Sequence, residues 1–196
     1  PDARTSWWLT WRNLAFPLLN PSFGWVLGSM YLIVAWPIAH RLTARGMAES
    51  IDLGAWLRAA MAQLTPGQLL ILLAVYAGGV LFTDTHSRPY RVVAGFVHST
   101  AHIVAAVVLG AFAARWSAAW FSAYLPSLLV TGAIIAVGGA LVGALIWGIY
   151  LLVSLNVFGR HANEAFSALR IADYKNFLRL RIGADGQLSI YPVGMD

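Results

Sequence analysis

The chain has 196 residues, of which 59% are hydrophobic and 11% charged, and its mean hydropathy is +0.68. Soluble domains carry roughly 25% charged residues, so this composition excludes a soluble globular protein. The chain contains no cysteine, which excludes disulfides and thiolate metal sites. Its net charge of +5 comes from basic residues between apolar segments, and this arrangement indicates membrane topology and no nucleic-acid partner.

Four long apolar runs dominate the sequence. A helix needs about 20 apolar residues to cross about 30 Å of hydrocarbon, and runs near that length lie at about 23–38, 64–82, 92–114 and 125–155. We therefore predict an all-α membrane protein with about four transmembrane helices. The membrane domain extends over residues 1–158, and its first partner is the lipid bilayer.

A shorter amphipathic segment, at about 51–64, separates the first two runs. Its polar residues Asp52, Arg58 and Gln63 lie away from an apolar set that recurs at helical spacing: Leu53, Trp56, Leu57, Ala60, Met61 and Leu64. We predict an interfacial helix here, because such a pattern is typical of helices that lie in the plane of the membrane surface.

Asp84-Thr85-His86 follows the second run. The Asp-x-His form is the one that opens metal-dependent phosphoesterase sites, where a carboxylate and an imidazole bind one ion. Asp84 and His86 are therefore candidate metal ligands. A simple loop turn is the alternative, because no further ligand cluster follows in the sequence.

The third run contains His98 and His102, one helical turn apart on the same face. Two imidazoles so placed could share a metal or bind a haem or pigment, although a metal usually needs a third and a fourth ligand. Hydrogen bonding between helices is the alternative. We expect the pair to face protein, because the same stripe carries the small residues Gly95, Ser99, Ala106 and Gly110.

The fourth run carries a repeat of small residues every four positions, which predicts close helix packing. The repeat consists of Gly132, Ala136, Ala140, Ala144 and Gly148, with Gly139 and Gly143 beside it as a Gly-x-x-x-Gly pair. The packing partner can be another helix of this chain or a second subunit, and the composition suits both.

Residues 159–196 are polar and charged, and they form the C-terminal segment. Strand patterns at 177–182 and 187–193 flank the turn Gly183-Ala184-Asp185-Gly186, which predicts a small β-hairpin. Leucine and isoleucine alternate with arginine, so one face of the hairpin is apolar. A two-stranded hairpin alone is marginal in water, so we expect this face to pack against other protein.

The distribution of basic residues predicts which side of the membrane each end occupies. With four spans both termini lie on one side, and that side carries nine of the 13 Lys and Arg residues: Arg4, Arg12, Arg88, Arg91, Arg160, Arg170, Lys175, Arg179 and Arg181. The other side has Arg41, Arg45, Arg58 and Arg115. Positive residues favour the cytoplasm, so we predict two cytoplasmic termini in a bacterial inner membrane.

One stretch of the C-terminal segment resembles a known family. The run Asn163-Glu164-Ala165-Phe166-Ser167-Ala168-Leu169-Arg170-Ile171, within 160–180, and the strand Gln187-Leu188-Ser189-Ile190-Tyr191-Pro192-Val193 resemble the C-terminal end of large calcineurin-like metallophosphoesterases that have a membrane domain. The resemblance implies a soluble two-metal catalytic domain that precedes the membrane region. It also implies divalent metals as cofactors of that domain.

The ligand blocks of such enzymes are missing from this sequence. It contains no Gly-Asp-x-x-Asp, no Gly-Asn-His followed by an acidic residue, and no Gly-His-x-His, so we assign no catalytic residue and no cofactor to this chain. The chain begins at Pro1 without a methionine. We expect it to be the membrane half of a longer protein, with the catalytic domain upstream as its partner.

Three functions compete at this stage. The first is a noncatalytic membrane anchor or scaffold of a metallophosphoesterase-like protein. The second is a noncatalytic accessory subunit of a larger respiratory or photosynthetic membrane complex, which would be held by the small-residue face. The third, a transporter or channel fragment, lacks an acidic residue in mid-span to couple ion movement.

Overall fold

The computed structural model describes residues 3–44, 46, 52–62, 64–83, 87–171 and 175–195. A single 3-10 turn at Trp11–Ala15 joins the first two helices, and the elements in chain order are α1 (Ala3–Thr10), α2 (Phe16–Leu19), α3 (Pro21–Ala44), α4 (Leu53–Ala62), α5 (Pro66–Phe82), α6 (Arg88–Trp120), α7 (Tyr124–Phe158), α8 (Ala162–Ser167), β1 (Lys175–Ile182) and β2 (Leu188–Met195). The predicted helical membrane protein with a small antiparallel hairpin is confirmed.

Helices α3, α6 and α7 are long and apolar enough to cross a membrane. The predicted run at 64–82 forms α5, whose 17 residues extend about 25 Å, a few Å less than the hydrocarbon thickness. A fourth span results when α4 and α5, which meet at a bend of 110°, are taken together. Among the described residues, three helices are thus long and apolar enough to cross a membrane, and the number of candidate spans is four if the bent pair forms one span.

The helices extend beyond the apolar runs that predicted them. The third run was expected at 92–114, but α6 begins at Arg88 and continues to Trp120. Pro89 is compatible with the first turn, because the first helical N–H groups have no partner within the helix. Since α6 has 33 residues and α7 has 35, each is about 50 Å long, and both project beyond the hydrocarbon or tilt within it.

Local signals define two further helix ends. Thr65 caps α5, because its hydroxyl accepts from the Gln68 N–H while the Gln68 side chain accepts from the Thr65 N–H. Gly159 ends α7 in the left-handed region, with φ of 63°, a conformation that glycine adopts without a steric penalty.

The small-residue face of α7 packs mainly against α3. A Cβ on Gly28 of α3 would overlap the carbonyl oxygen of Ala136. A Cβ on Gly139 would lie 2.6 Å from the Cβ of Tyr31. These backbones approach so closely that no larger residue fits, and the partner of this face is therefore a helix of the same chain.

The remaining small residues of α7 lie on the same side. Gly132 faces the ring of Trp36, Gly143 faces Leu27, and Ala140 lies against Gly24. Ala144 is fully buried with Phe16 and Leu27. At the far end of this face Gly148 contacts the N-terminal 3-10 turn rather than α3.

Helix α6 packs between α5, α3 and α7. A Cβ on Gly95 would lie 2.6 Å from the Cα of Val80 in α5, and the Ser99 hydroxyl donates to the Val75 carbonyl. Further along α6, Gly110 lies against Ala35 of α3. The stripe that carries the two histidines therefore faces protein.

Helix α4 covers one end of this bundle. Trp56 is 2% exposed and belongs to the main apolar core together with Ala60 and the inner faces of α3 and α6. Met61, which the helical pattern places on the same apolar face, is exposed. The amphipathic segment thus packs against the bundle with part of its apolar face.

The two strands pair in antiparallel register, with Leu180 opposite Ile190 and Ile182 opposite Leu188. Because side chains alternate along a strand, these four residues share one face with Leu178. All five are exposed, and Ile182 is 76% exposed. The hairpin thus has an apolar face that no described residue of the chain covers.

Candidate functional site

Two histidines form the centre of a polar cluster within otherwise apolar helices. His98 is 6% exposed, and its Nε2 lies 3.2 Å from Nε2 of His102. Such a contact needs one nitrogen that donates and one that accepts, so at least one of the two rings is neutral. Because the residues are one turn apart on α6, the helix itself sets this distance.

Tyr31 of α3 extends the cluster on one side. Its Oη shares a hydrogen bond of 3.0 Å with Nδ1 of His102, and the two rings meet edge to face. Tyr31 is positioned by the close contact of its Cβ with Gly139. The glycine on α7 therefore positions a tyrosine on α3 against a histidine on α6.

Tyr150 of α7 extends the cluster on the other side. Its ring centroid lies 4.3 Å from that of His98. Its Oη shares hydrogen bonds of 3.0 Å with Nε2 of His161 and 3.1 Å with Oγ1 of Thr83, at the end of α5. Tyr150 thus connects the interior histidines to the end of the bundle.

His161 reaches the cluster through an unusual backbone conformation. It precedes α8 with φ of 58°, in the left-handed region, and its imidazole stacks parallel to the ring of Phe82 at 5.5 Å. Nδ1 of His161 lies 3.5 Å from Oε1 of Glu164, whose carboxylate is partly exposed. The polar cluster therefore extends from Tyr31, inside the bundle, to a carboxylate at its surface.

An apolar cleft of about 510 Å³ opens beside the histidines, between α3 and α5. His98, His102, Tyr31 and Trp147 are among the residues that line it, and of these Tyr31 and His98 are buried. Its mouth carries exposed apolar side chains of the spanning helix α3, namely Val26, Met30 and Ile33. The cleft therefore opens toward the lipid.

A second cleft, of about 520 Å³, lies between α6 and α7. His98 and Tyr150 line it as well, together with Tyr90 and Ser154, whose hydroxyl oxygens are 2.6 Å apart. His98 therefore lies between two clefts.

The described residues place no third His, Asp or Glu ligand beside the two histidines. Nowhere in the part of the chain that the structure describes do three His, Asp or Glu side chains come together in a way that could hold an ion. His98 and His102 instead use ring nitrogens for hydrogen bonds to each other and to Tyr31. Asp84 and His86 lie outside the described residues.

Sequence patterns predicted the two central histidines but not their partners. Tyr31, Tyr150, Thr83 and His161 come from four separate segments, and no spacing relates them. A buried tyrosine needs a partner for its hydroxyl. The presence of Tyr31 and Tyr150 within apolar runs is the one signal that could have indicated a polar partner for each.

Comparisons with known proteins give no relative. No protein-family model matches the chain, and no curated protein or solved structure is significantly similar to it.

Proposed function

We propose that this chain is the membrane anchor and scaffold of a calcineurin-like metallophosphoesterase in a bacterial inner membrane, and that it is not catalytic by itself. The proposal rests on the resemblance of 160–180 and 187–193 to the C-terminal end of that family. The divalent metals belong to the catalytic domain, which the anchor holds at the membrane surface.

The uncovered face of the hairpin is the observation that carries this proposal. Leu178, Leu180, Ile182, Leu188 and Ile190 share one face of the two-stranded sheet and are all exposed. A two-stranded hairpin is marginally stable without a covering surface. We propose that the catalytic domain supplies this surface, so that the hairpin docks the anchor onto the enzyme.

In this proposal the chain crosses the membrane four times, with α5 as the second span and α4 as the interfacial helix before it. Both termini are then cytoplasmic, on the side with most of the Lys and Arg residues. The hairpin and the catalytic domain would meet in the cytoplasm.

The accessory-subunit alternative depends on the small-residue face of α7 as the contact with a neighbouring subunit. That face packs against α3 and the N-terminal turn of the same chain. It is therefore occupied, and we favour the anchor. A denaturing mass measurement on the native protein separates the two functions. A mass well above the 21.3 kDa of this chain supports the anchor, and a mass near that value supports the separate subunit.

A matched pair of variants in the full-length native protein tests the docking itself. Leu180→Asp places a charge on the apolar face, whereas Ser189→Asp places the same charge on the opposite face. We expect Leu180→Asp to lower the thermal stability of the catalytic domain and to increase its release by limited proteolysis. Ser189→Asp should leave both unchanged, and equal effects of the two variants would contradict docking through the apolar face.

A further inference from the structure

The cleft between α3 and α5 has the chemistry of a binding site for a small molecule dissolved in the membrane. Its volume of about 510 Å³ lies within the range of about 300–1,000 Å³ that is typical of ligand sites. Its mouth lies among exposed side chains of an apolar spanning helix, among them Val26 and Ile33. A ligand therefore enters from the bilayer and not from water.

The polar groups of the cleft select for a neutral ligand. They are the imidazoles of His98 and His102 and the phenol of Tyr31, and among the described residues no Lys, Arg, Asp or Glu lines the cleft. A phosphate or carboxylate headgroup would be buried here without a countercharge, which is strongly unfavourable. A carbonyl or hydroxyl group can instead pair with these side chains.

The hydrogen-bond pattern of the cluster provides a donor for a ligand that accepts a hydrogen bond. Tyr31, His102 and His98 form a chain of two hydrogen bonds. With neutral rings, a donor remains at one end of this chain: the Tyr31 hydroxyl when His102 donates to it, or Nδ1 of His98 when Tyr31 donates to His102. Either arrangement leaves an N–H or O–H group for an acceptor.

Aromatic rings beside the histidines favour a flat ligand. Phe23, Phe82 and Trp147 all line the cleft, and the Trp147 ring contacts the other two with centroid distances of 4.9 and 4.5 Å. Aromatic rings prefer offset-stacked or edge-to-face contacts with other flat rings. A flat ring with carbonyl oxygens and an apolar tail combines all of these properties.

We propose that this cleft binds a neutral quinone-type molecule from the bilayer, with a ring carbonyl bonded to the cluster of Tyr31, His98 and His102 and with the apolar tail directed toward the mouth between α3 and α5. The site is separate from the hairpin and does not depend on a catalytic domain. The ligand binds within the membrane domain.

Gly78 allows the cleft to be closed without damage to the fold. It lines the cleft, and a Cβ at this position would meet no atom within 4 Å. Gly78→Phe should therefore fold and fill the opening. Gly67 lies on the same helix, has equally open surroundings and does not line the cleft, so Gly67→Phe is its matched control.

The test measures saturable binding of radiolabelled decylubiquinone to the chain in phospholipid nanodiscs, with empty nanodiscs as background. We expect saturable binding to the unchanged chain and to Gly67→Phe, and none to Gly78→Phe. Tyr31→Phe removes one hydroxyl from the chain of hydrogen bonds and should raise the Kd by about tenfold. Tyr76→Phe, which removes a hydroxyl bonded to Thr100 outside the cleft, should leave the Kd unchanged.

Competition tests the neutral character of the ligand. Unlabelled decylplastoquinone should displace the probe, whereas decyl phosphate at the same concentration should not. The proposal is overturned if the unchanged chain shows no saturable binding or if Gly78→Phe binds as well as Gly67→Phe. Equal displacement by decyl phosphate would overturn the assignment to neutral ligands.

Discussion

Gly148 of α7 lies directly against the carbonyl oxygen of Asn13, so that a Cβ on this glycine would overlap that oxygen. Asn13 is fully buried and belongs to the 3-10 turn that follows α1. The N-terminal segment is therefore held on α7 by a contact between two backbones. A backbone cannot move aside as a side chain can.

Gly148→Ala should lower the stability of the chain. The added methyl group must displace the N-terminal turn, and overpacking of this kind costs about 1–3 kcal/mol. Gly138→Ala is the matched control, because a Cβ there meets only the end of the Leu109 side chain at 2.9 Å. Thermal unfolding in detergent should give a lower midpoint for Gly148→Ala than for Gly138→Ala, and equal midpoints would contradict the close contact.

Tyr150→Phe should also destabilise the chain. It removes the hydroxyl shared by Thr83 and His161, which are 1% and 7% exposed. Thr83 keeps its hydrogen bond to the Gly79 carbonyl, whereas Nε2 of the buried His161 loses its partner, which costs about 1–3 kcal/mol. Tyr76→Phe removes a hydroxyl bonded to the less buried Thr100 and should cost less. The unfolding midpoints of the two variants measure this difference, and a larger loss for Tyr76→Phe would refute the assigned role of Tyr150.

The proposed topology can be tested with single cysteines, since the chain contains none. Ser6→Cys, Ser122→Cys and Ser189→Cys place one thiol near the N-terminus, between α6 and α7, and in the hairpin. With four spans and cytoplasmic termini, an impermeant maleimide added to intact cells should label position 122 alone. Labelling of position 189 but not 122 would show three spans or an inverted chain.

The purified chain should not hydrolyse phosphomonoesters or phosphodiesters with any divalent metal. Two-metal hydrolysis needs ligands that hold ions about 3.5 to 4 Å apart, and no clustered set of this kind occurs in the sequence. The measurement is turnover of a generic nitrophenyl ester with magnesium, manganese and zinc. Metal-dependent turnover that is abolished by Asp84→Ala or His86→Ala would make that motif a metal site and contradict the anchor.

The sequence predicted the helical membrane fold and the hairpin because each depends on local patterning. An apolar run without charge favours a spanning helix, and alternation around a Gly-rich turn favours a hairpin. The helix ends were less predictable. Helix α6 begins at Arg88 and ends at Trp120, beyond both ends of the apolar run at 92–114, because polar residues in the sequence indicate the edge of the hydrocarbon and not the end of the helix.

The partners of the histidines could not be predicted from local patterns. Tyr31 meets His102 because α3 and α7 pack closely at Gly139, which is a property of three helices together. His161 reaches Tyr150 because the chain turns sharply after Gly159 and adopts a positive φ again at His161. Periodicity within one segment contains no information on such contacts.

The packing of α3 against α7 has a consequence for biosynthesis. Helix α3 leaves the ribosome and enters the membrane well before Tyr124, the first residue of its main partner, has been synthesised. Until then Gly24 and Gly28 have no helix against them, and Tyr31 lacks the glycine that positions it against His102. Insertion of the first helices therefore precedes their assembly. The two clefts and the histidine cluster are complete only after α7, the last long helix, has been synthesised and has packed against the others.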